Sequence, residues 1–64
     1  MEVGLRIKEI RELNNISQEK LARKTKILNQ SQICKIENGQ RTLKANELVK
    51  IANVLNVAIT DIIS

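Results

Sequence analysis

The apolar positions of the chain recur at helical spacing in several separate segments. In the first segment Val3, Ile7 and Ile10 form one stripe, and a repeat of three or four residues is typical of an amphipathic helix. Two consecutive asparagines follow at 14 and 15, and asparagine tolerates the left-handed conformation that ends many helices. The pattern therefore predicts a first helix over residues 3–13.

A second, shorter helix is predicted to begin just after Ser17. Serine is a favourable N-cap residue, and Glu19 would lie in the first turn, where a negative charge is stabilised. Leu21 and Ala22 are its inward-facing positions. The sequence thus predicts a short amphipathic helix with a charged outer face.

A third helix is predicted to begin after Asn29. Asn29 is a suitable N-cap, and Gln32 stands three residues later, where it can complete a capping box. Ile33 and Ile36 are its buried face, and the Asn-Gly pair at 38–39 ends it. The opening turn is therefore polar, whereas the buried face is aliphatic.

Two more helices are predicted in the last third of the chain. Helical spacing of Leu48, Ile51, Ala52 and Leu55 indicates a helix over about 44–55, and a short helix is expected near 59–63. The strand-forming residues before the last helix are too few to change the fold class. The prediction is an all-α, compact five-helix domain that spans residues 1–64.

Composition excludes several classes of function. The chain has no His, Trp, Tyr or Phe and only one Cys and one Asp, so a zinc site, a Cys–His pair or a Ser–His–Asp triad cannot be assembled. We expect no enzyme activity, no cofactor, no metal and no small-molecule ligand. There is no apolar run near 18 residues and no signal-peptide core, so no membrane association is expected either.

Charge is distributed unevenly along the chain. Residues 20–44 contain seven basic residues and one acid, Glu37, whereas the rest of the chain has four basic and six acidic residues. A basic middle segment suits a phosphate backbone, although a solvated lysine-rich surface would give the same count. The polar helix in the same segment favours the nucleic-acid interpretation.

Residues 16–39 carry a resemblance to a known family, in the sequence ISQEKLARKTKILNQSQICKIENG. This stretch resembles the helix-turn-helix of the phage-repressor-like family, the Xre or Cro type. The flanking segments 4–11 (GLRIKEIR) and 48–57 (LVKIANVLNV) are similar to the family as well. The resemblance implies a sequence-specific transcriptional regulator of double-stranded DNA, expected to be a repressor of prokaryotic or phage origin. It is expected in the cytoplasm, and on the nucleoid when bound.

The polar start of the third helix supplies the candidate base-reading residues. Gln30 and Gln32 each carry an amide that can donate and accept, as adenine requires at its N6 and N7. Ser31 can bond to several bases, and Lys35 can reach a guanine or a phosphate. By the resemblance, the first, second and sixth residues of the helix read bases, namely Gln30, Ser31 and Lys35.

The resemblance also assigns contacts that fix the domain on the DNA backbone. Gln18 corresponds to the family's phosphate-binding glutamine, and its place at a helix N-terminus is favourable for an anion. The loop after the third helix binds backbone in the family. The full set of expected phosphate-binding residues is Ser17, Gln18, Asn29, Asn38, Arg41 and Lys44.

Two further expectations concern the interior. The family pairs the positions of Arg11 and Glu37 in a partly buried salt bridge. The sequence departs from the family between Leu21 and Glu37, which is one residue longer than usual. Lys26 or Ile27 stands where the family has a left-handed glycine. The turn is either looped out or helix 2 runs longer, and either Ile27 or Leu28 fills the core position, with Leu28 preferred.

The small footprint of one recognition helix predicts a homodimer on an inverted-repeat operator. Ile59, Ile62 and Ile63 are the candidate interface, unless they complete the core of the monomer. Two alternatives stay open: a DNA-binding module of a longer repressor or antitoxin, and a protein-interaction domain of the same fold. The polar third helix argues against the second.

Overall fold

The computed structural model describes residues 2–63 of the chain. This range consists of five helices: α1 (Val3–Leu13), α2 (Gln18–Thr25), α3 (Gln30–Glu37), α4 (Ala45–Leu55) and α5 (Ile59–Ile63). No strand occurs among the described residues. The all-α prediction and the five predicted helices are confirmed, with α4 beginning one residue later than expected.

The first helix owes its close packing on α3 to a glycine. A Cβ atom on Gly4 would lie 1.9 Å from the carbonyl oxygen of Ile36, a distance at which one backbone must move. Any residue larger than glycine would therefore push α1 away from the end of α3. Gly4 lies in the flanking segment 4–11, whose sequence alone gives no sign of this close approach.

The connection between α2 and α3 resolves the alternatives for the longer turn. Helix α2 ends at Thr25, and Lys26 takes the left-handed conformation with φ 65°, so the β-branched Ile27 is spared that strain. The buried Thr25 hydroxyl donates to the Ala22 carbonyl at 2.7 Å and accepts from the Leu28 N–H at 3.3 Å. Leu28 is buried and Ile27 is exposed, as preferred from the sequence.

The starts of helices α2 to α5 are stabilised by side chains. Ser17 accepts from the Lys20 N–H at 3.0 Å. Helices α4 and α5 lack a small polar cap, and each uses a carboxylate one turn further on instead. Glu47 accepts from the N–H of Lys44 at 3.0 Å, and Asp61 accepts from the N–H of Ala58 at 2.9 Å.

One large aliphatic side chain from each helix meets at the centre of the core. Ile7, Leu21, Ile33, Ile51 and Ile62 are all at most 1 % exposed. Burial of such a side chain contributes roughly 1.5–3 kcal/mol relative to leaving it exposed, so these residues help to hold the five helices together. None of the helices in residues 2–63 is long and apolar enough to cross a membrane.

Candidate nucleic-acid interface

Helix α3 divides into a buried face and an exposed face. Ile33 and Ile36 are buried against the core, whereas Gln30, Ser31 and Lys35 are all exposed. Ser31 and Lys35 are one turn apart and therefore lie on the same side of the helix. Three of the four predicted base-reading residues are thus exposed on α3, and two of them, Ser31 and Lys35, share one side of the helix.

Gln32, the fourth predicted base-reading residue, is half-buried and already engaged. Its Oε1 accepts from the Asn29 N–H at 2.9 Å, and the Asn29 Oδ1 accepts from the Gln32 N–H at 2.8 Å. These two bonds form the predicted capping box. The capping box ties the amide of Gln32 to the start of α3. Of the two glutamines, Gln30 therefore has the side chain that is freer to contact a base.

The N-terminus of α2 lies beside the end of α3. Gln18 is the first residue of α2 and is half-buried, and its Nε2 donates to Glu37 Oε1 at 3.0 Å. The first N–H groups of a helix have no partner within the helix and carry its positive dipole end. This end of α2 is therefore suited to an anion, and the phosphate-binding roles of Ser17 and Gln18 stay predictions.

Arg11 and Glu37 form the ion pair that the resemblance implies. Arg11 Nε donates to Glu37 Oε2 at 2.7 Å, and Arg11 Nη2 donates to Glu37 Oε1 at 3.1 Å. The side chains are only 9 % and 1 % exposed. The carboxylate hydrogen bonds raise the pKa of Arg11 further, against the opposing effect of burial. Arg11 Nη1 also donates to the Ile16 carbonyl at 2.7 Å, so the pair fixes the approach to α2.

The loop after α3 contains a second arginine–glutamate pair. Arg41 Nη1 and Nη2 donate to the two carboxylate oxygens of Glu47 at 2.8 and 2.9 Å. These bonds, helped by the N–H of Lys44, lower the pKa of Glu47 to about 2, and they raise the pKa of Arg41. Arg41 therefore closes the loop onto α4, while Lys44 and Asn38 remain exposed.

Glu47 was not predicted from the sequence as the partner of Arg41. The available signal was its position three residues after Lys44, where a glutamate can accept from the N–H of a helix cap. The predicted α4 stripe also placed Leu48 inward, but Leu48 is only half-buried and Glu47 is 6 % exposed. A charged residue on the core side of α4 was not expected because its arginine partner lies outside the helix.

The basic segment retains its positive surface after these pairs form. Its one acid, Glu37, is buried in the pair with Arg11, and Arg41 is matched by Glu47. Six basic residues of the segment are exposed: Lys20, Arg23, Lys24, Lys26, Lys35 and Lys44. The polar face of α3 therefore belongs to a surface segment with an excess of positive charge.

Only two of the three isoleucines predicted for the dimer interface are exposed. Ile62 is 1 % exposed and belongs to the core of the monomer, which corrects its assignment to the interface. Ile59 and Ile63 are 37 % and 51 % exposed. Helix α5 packs against α1 and α4, and each of these helices also exposes a large hydrophobic residue, Leu5 and Val49.

Comparison with known proteins gives a family and a similar structure. The helix-turn-helix family model HTH_3 matches residues 7–62. The crystal structure of the restriction-modification controller protein C.AhdI from Aeromonas hydrophila is 30% identical, covering 95% of this chain and 91% of that chain, with a TM-score of 0.91. A comparison with curated proteins finds no significant match. The chain belongs to the Xre/Cro-type helix-turn-helix family and is a DNA-binding transcriptional regulator.

Proposed function

We propose that this regulator binds an inverted-repeat operator as a homodimer and reads each half-site with α3. The observation that carries the proposal is the exposed polar face of Gln30, Ser31 and Lys35, within a segment of excess positive charge. In helix-turn-helix proteins the recognition helix lies in the major groove with its N-terminal residues toward the base edges. Gln30 and Ser31 are the first two residues of α3.

Each reader has a distinct chemical role in this proposal. Gln30 offers its amide to adenine N6 and N7, Ser31 bonds to a neighbouring base, and Lys35 reaches a guanine or a phosphate one turn further on. Gln32 holds Asn29 at the helix start, so its role is to orient α3. We therefore assign reading to three residues, and orientation to the capping box.

Phosphate contacts come from the elements on either side of α3. Gln18 and the adjoining N–H groups at the start of α2 bind one phosphate, with Ser17 as the cap that fixes this turn. Asn38 and Lys44 in the loop after α3 bind another. These contacts fix the register of the domain on the duplex but do not discriminate between sequences.

Dimerisation through α5 supplies the recognition helix for the second half-site. Ile59 and Ile63 leave apolar area exposed on α5, while Ile62 anchors the helix to its own core. Two copies related by a two-fold axis would place their recognition helices about 34–36 Å apart, one turn of the duplex. A single α3 reads too few base pairs to define an operator.

Selection of bound DNA from a random pool tests the proposal. We expect an enriched inverted repeat and two chains per selected duplex. On that duplex Gln30→Ala should lose about 1–3 kcal/mol of binding free energy and relax the preference at one position of each half-site. Asn53→Ala is the control, because Asn53 is exposed on α4, outside the elements proposed to contact DNA. Equal losses of binding free energy on selected and random duplexes would show that Gln30 does not read a base.

Sedimentation equilibrium tests the interface separately. We expect Ile63→Ser to weaken the dimer, while the matched variant Leu13→Ser leaves it unchanged. Leu13 is 79 % exposed, but it lies at the end of α1 rather than on α5. One chain per operator, or equal effects of the two substitutions, would contradict the α5 interface.

The similar crystal structure favours a more specific function, the control of restriction-modification genes. The similar crystal structure is that of a restriction-modification controller protein, and it covers nearly the whole of both chains. We therefore propose that this chain also controls restriction-modification genes. The selected operator should then occur upstream of such genes in the genome that encodes the chain, and its absence there would refute this assignment.

A further inference from the structure

The side chain of Gln18, our candidate phosphate ligand, is held by a group that cannot itself touch DNA. Gln18 Nε2 donates to Glu37 Oε1 at 3.0 Å. The Glu37 side chain is 1 % exposed, so it is closed to a ligand. The contact links a surface residue at the start of α2 to a buried carboxylate at the end of α3.

The chemistry of this contact permits only one orientation of the amide. An ionised carboxylate accepts hydrogen bonds and does not donate them. Gln18 must therefore turn its NH₂ group, and not its carbonyl oxygen, toward Glu37. One of the two N–H bonds is used by the carboxylate, and the second is left to donate to another acceptor.

Glu37 is itself held rigidly. Arg11 donates to both of its carboxylate oxygens, at 2.7 and 3.1 Å, and the same guanidinium donates to the Ile16 carbonyl at 2.7 Å. The residue that orients Gln18 and the backbone that leads into α2 thus share one arginine. Neither can shift without disturbing the other.

We propose that Glu37 is a positioning residue for DNA binding: its carboxylate fixes the Gln18 amide so that the free N–H meets a backbone phosphate. The inference rests on the proposed phosphate contact of Gln18. An unrestrained glutamine side chain on a protein surface loses conformational entropy when it binds a ligand. In this protein the buried pair orders the side chain beforehand, and part of that loss is avoided on binding.

A double-mutant cycle on the selected operator separates positioning from general stability. We expect Glu37→Gln to weaken binding of the folded fraction about fivefold, the size of one typical net hydrogen bond. Gln18→Ala should weaken binding by a similar factor. In the Gln18→Ala background, Glu37→Gln should have no further effect, because the side chain that it positions is gone.

The outcomes of the cycle are distinguishable. If Glu37→Gln weakens binding equally in both backgrounds, its role is structural and the inference is wrong. If Gln18→Ala binds normally, both the phosphate contact of Gln18 and the inference fail, while operator binding by the dimer stands. If the wild-type protein selects no operator, the proposed function itself fails.

A measurement on the unaltered protein covers the case in which Glu37→Gln does not fold. NMR exchange of the side-chain amide protons should show one Gln18 proton protected in the free protein. Gln40 is the control, since its side chain is exposed. Exchange of both Gln18 protons at the rate of Gln40 would show that the amide is not held, and would overturn the inference.

Discussion

Two arginine–glutamate pairs in this small domain have the same chemistry and different surroundings. Arg11–Glu37 and Arg41–Glu47 each join a guanidinium to both oxygens of one carboxylate. The first pair is almost fully buried, with side chains 9 % and 1 % exposed, whereas those of the second are 24 % and 8 % exposed. The first spans 26 residues of sequence and the second only six.

The difference shows that position decides what an ion pair contributes. Arg11–Glu37 connects α1 to the end of α3 and also holds Ile16 and Gln18, so it sets the relative placement of the helix-turn-helix elements. Arg41–Glu47 closes a local loop and helps α4 to begin. The buried pair is therefore coupled to the proposed DNA surface, and the outer pair is coupled mainly to its own helix.

Removal of one member of the buried pair should have the largest effect. We expect Arg11→Met to lower the free energy of unfolding by about 3–5 kcal/mol, because it leaves Glu37 charged and without its main partner inside the protein. This loss is comparable to the whole stability of a domain of this size. Urea unfolding followed by circular dichroism measures it.

The double variant Arg11→Met/Glu37→Leu is the control for that experiment. It removes the charge that the single variant strands, so it should recover part of the lost stability. A loss near zero for Arg11→Met, as is common for exposed ion pairs, would contradict the distinction between the two pairs.

Disruption of the outer pair should have a smaller and pH-dependent effect. Glu47 has a folded-state pKa of about 2, below its ordinary value of 4.5, so its ionised form stabilises the fold. That contribution is complete above pH 4.5 and is lost as the pH falls toward 2. We expect Glu47→Gln to cost about 1 kcal/mol at neutral pH, and the difference from wild type to vanish near pH 2.

Thermal unfolding of both proteins over this pH range is the measurement. Glu9→Gln is a matched control, because Glu9 is exposed in the middle of α1 and makes only a loose surface ion pair with Arg6 at 3.7 Å. A difference between wild type and Glu47→Gln that persists unchanged at pH 2 would show that the carboxylate charge is not the source of the stabilisation.

The smallest expected effect is on the salt dependence of DNA binding. Lys44→Gln should reduce the slope of log K against log salt by about 0.9, the value for one lost phosphate contact. The double variant Arg41→Gln/Glu47→Gln should leave the slope nearly unchanged, because Arg41 is matched by Glu47 rather than by a phosphate. A full unit of change in the double variant would show that Arg41 contacts a phosphate, as the resemblance implies, despite its pairing with Glu47.

Local signals in the sequence determined most of the secondary structure. The capping box of Asn29 and Gln32 and the cap at Ser17 were predicted because they depend on residues within one turn. The bounds of α1 followed from the spacing of its apolar residues and from the asparagines after it. The order of the helices and the polar opening turn of α3 followed from the same local signals, and the resemblance supplied the roles expected of individual residues.

Tertiary structure decided what each side chain touches. The sequence offered Ile59, Ile62 and Ile63 as equivalent, and only the packing of α5 on α1 and α4 buried Ile62 and left its neighbours exposed. The extra residue in the turn could have displaced either Ile27 or Leu28. Leu28 is inside because the Thr25 hydroxyl accepts its N–H while Lys26 takes the left-handed conformation.

The hydrogen bonds between polar side chains of different helices could not be predicted from the sequence either. The exception is the Arg11–Glu37 pair, which the resemblance implied. Gln18 and Glu37 are 19 residues apart, and nothing in their local sequence indicates that they meet. Helical periodicity specifies which face of each element is apolar, but it leaves the depth and angle of packing open. Those are set by contacts between helices, such as the close approach at Gly4, and they determine which polar groups are brought within hydrogen-bond distance.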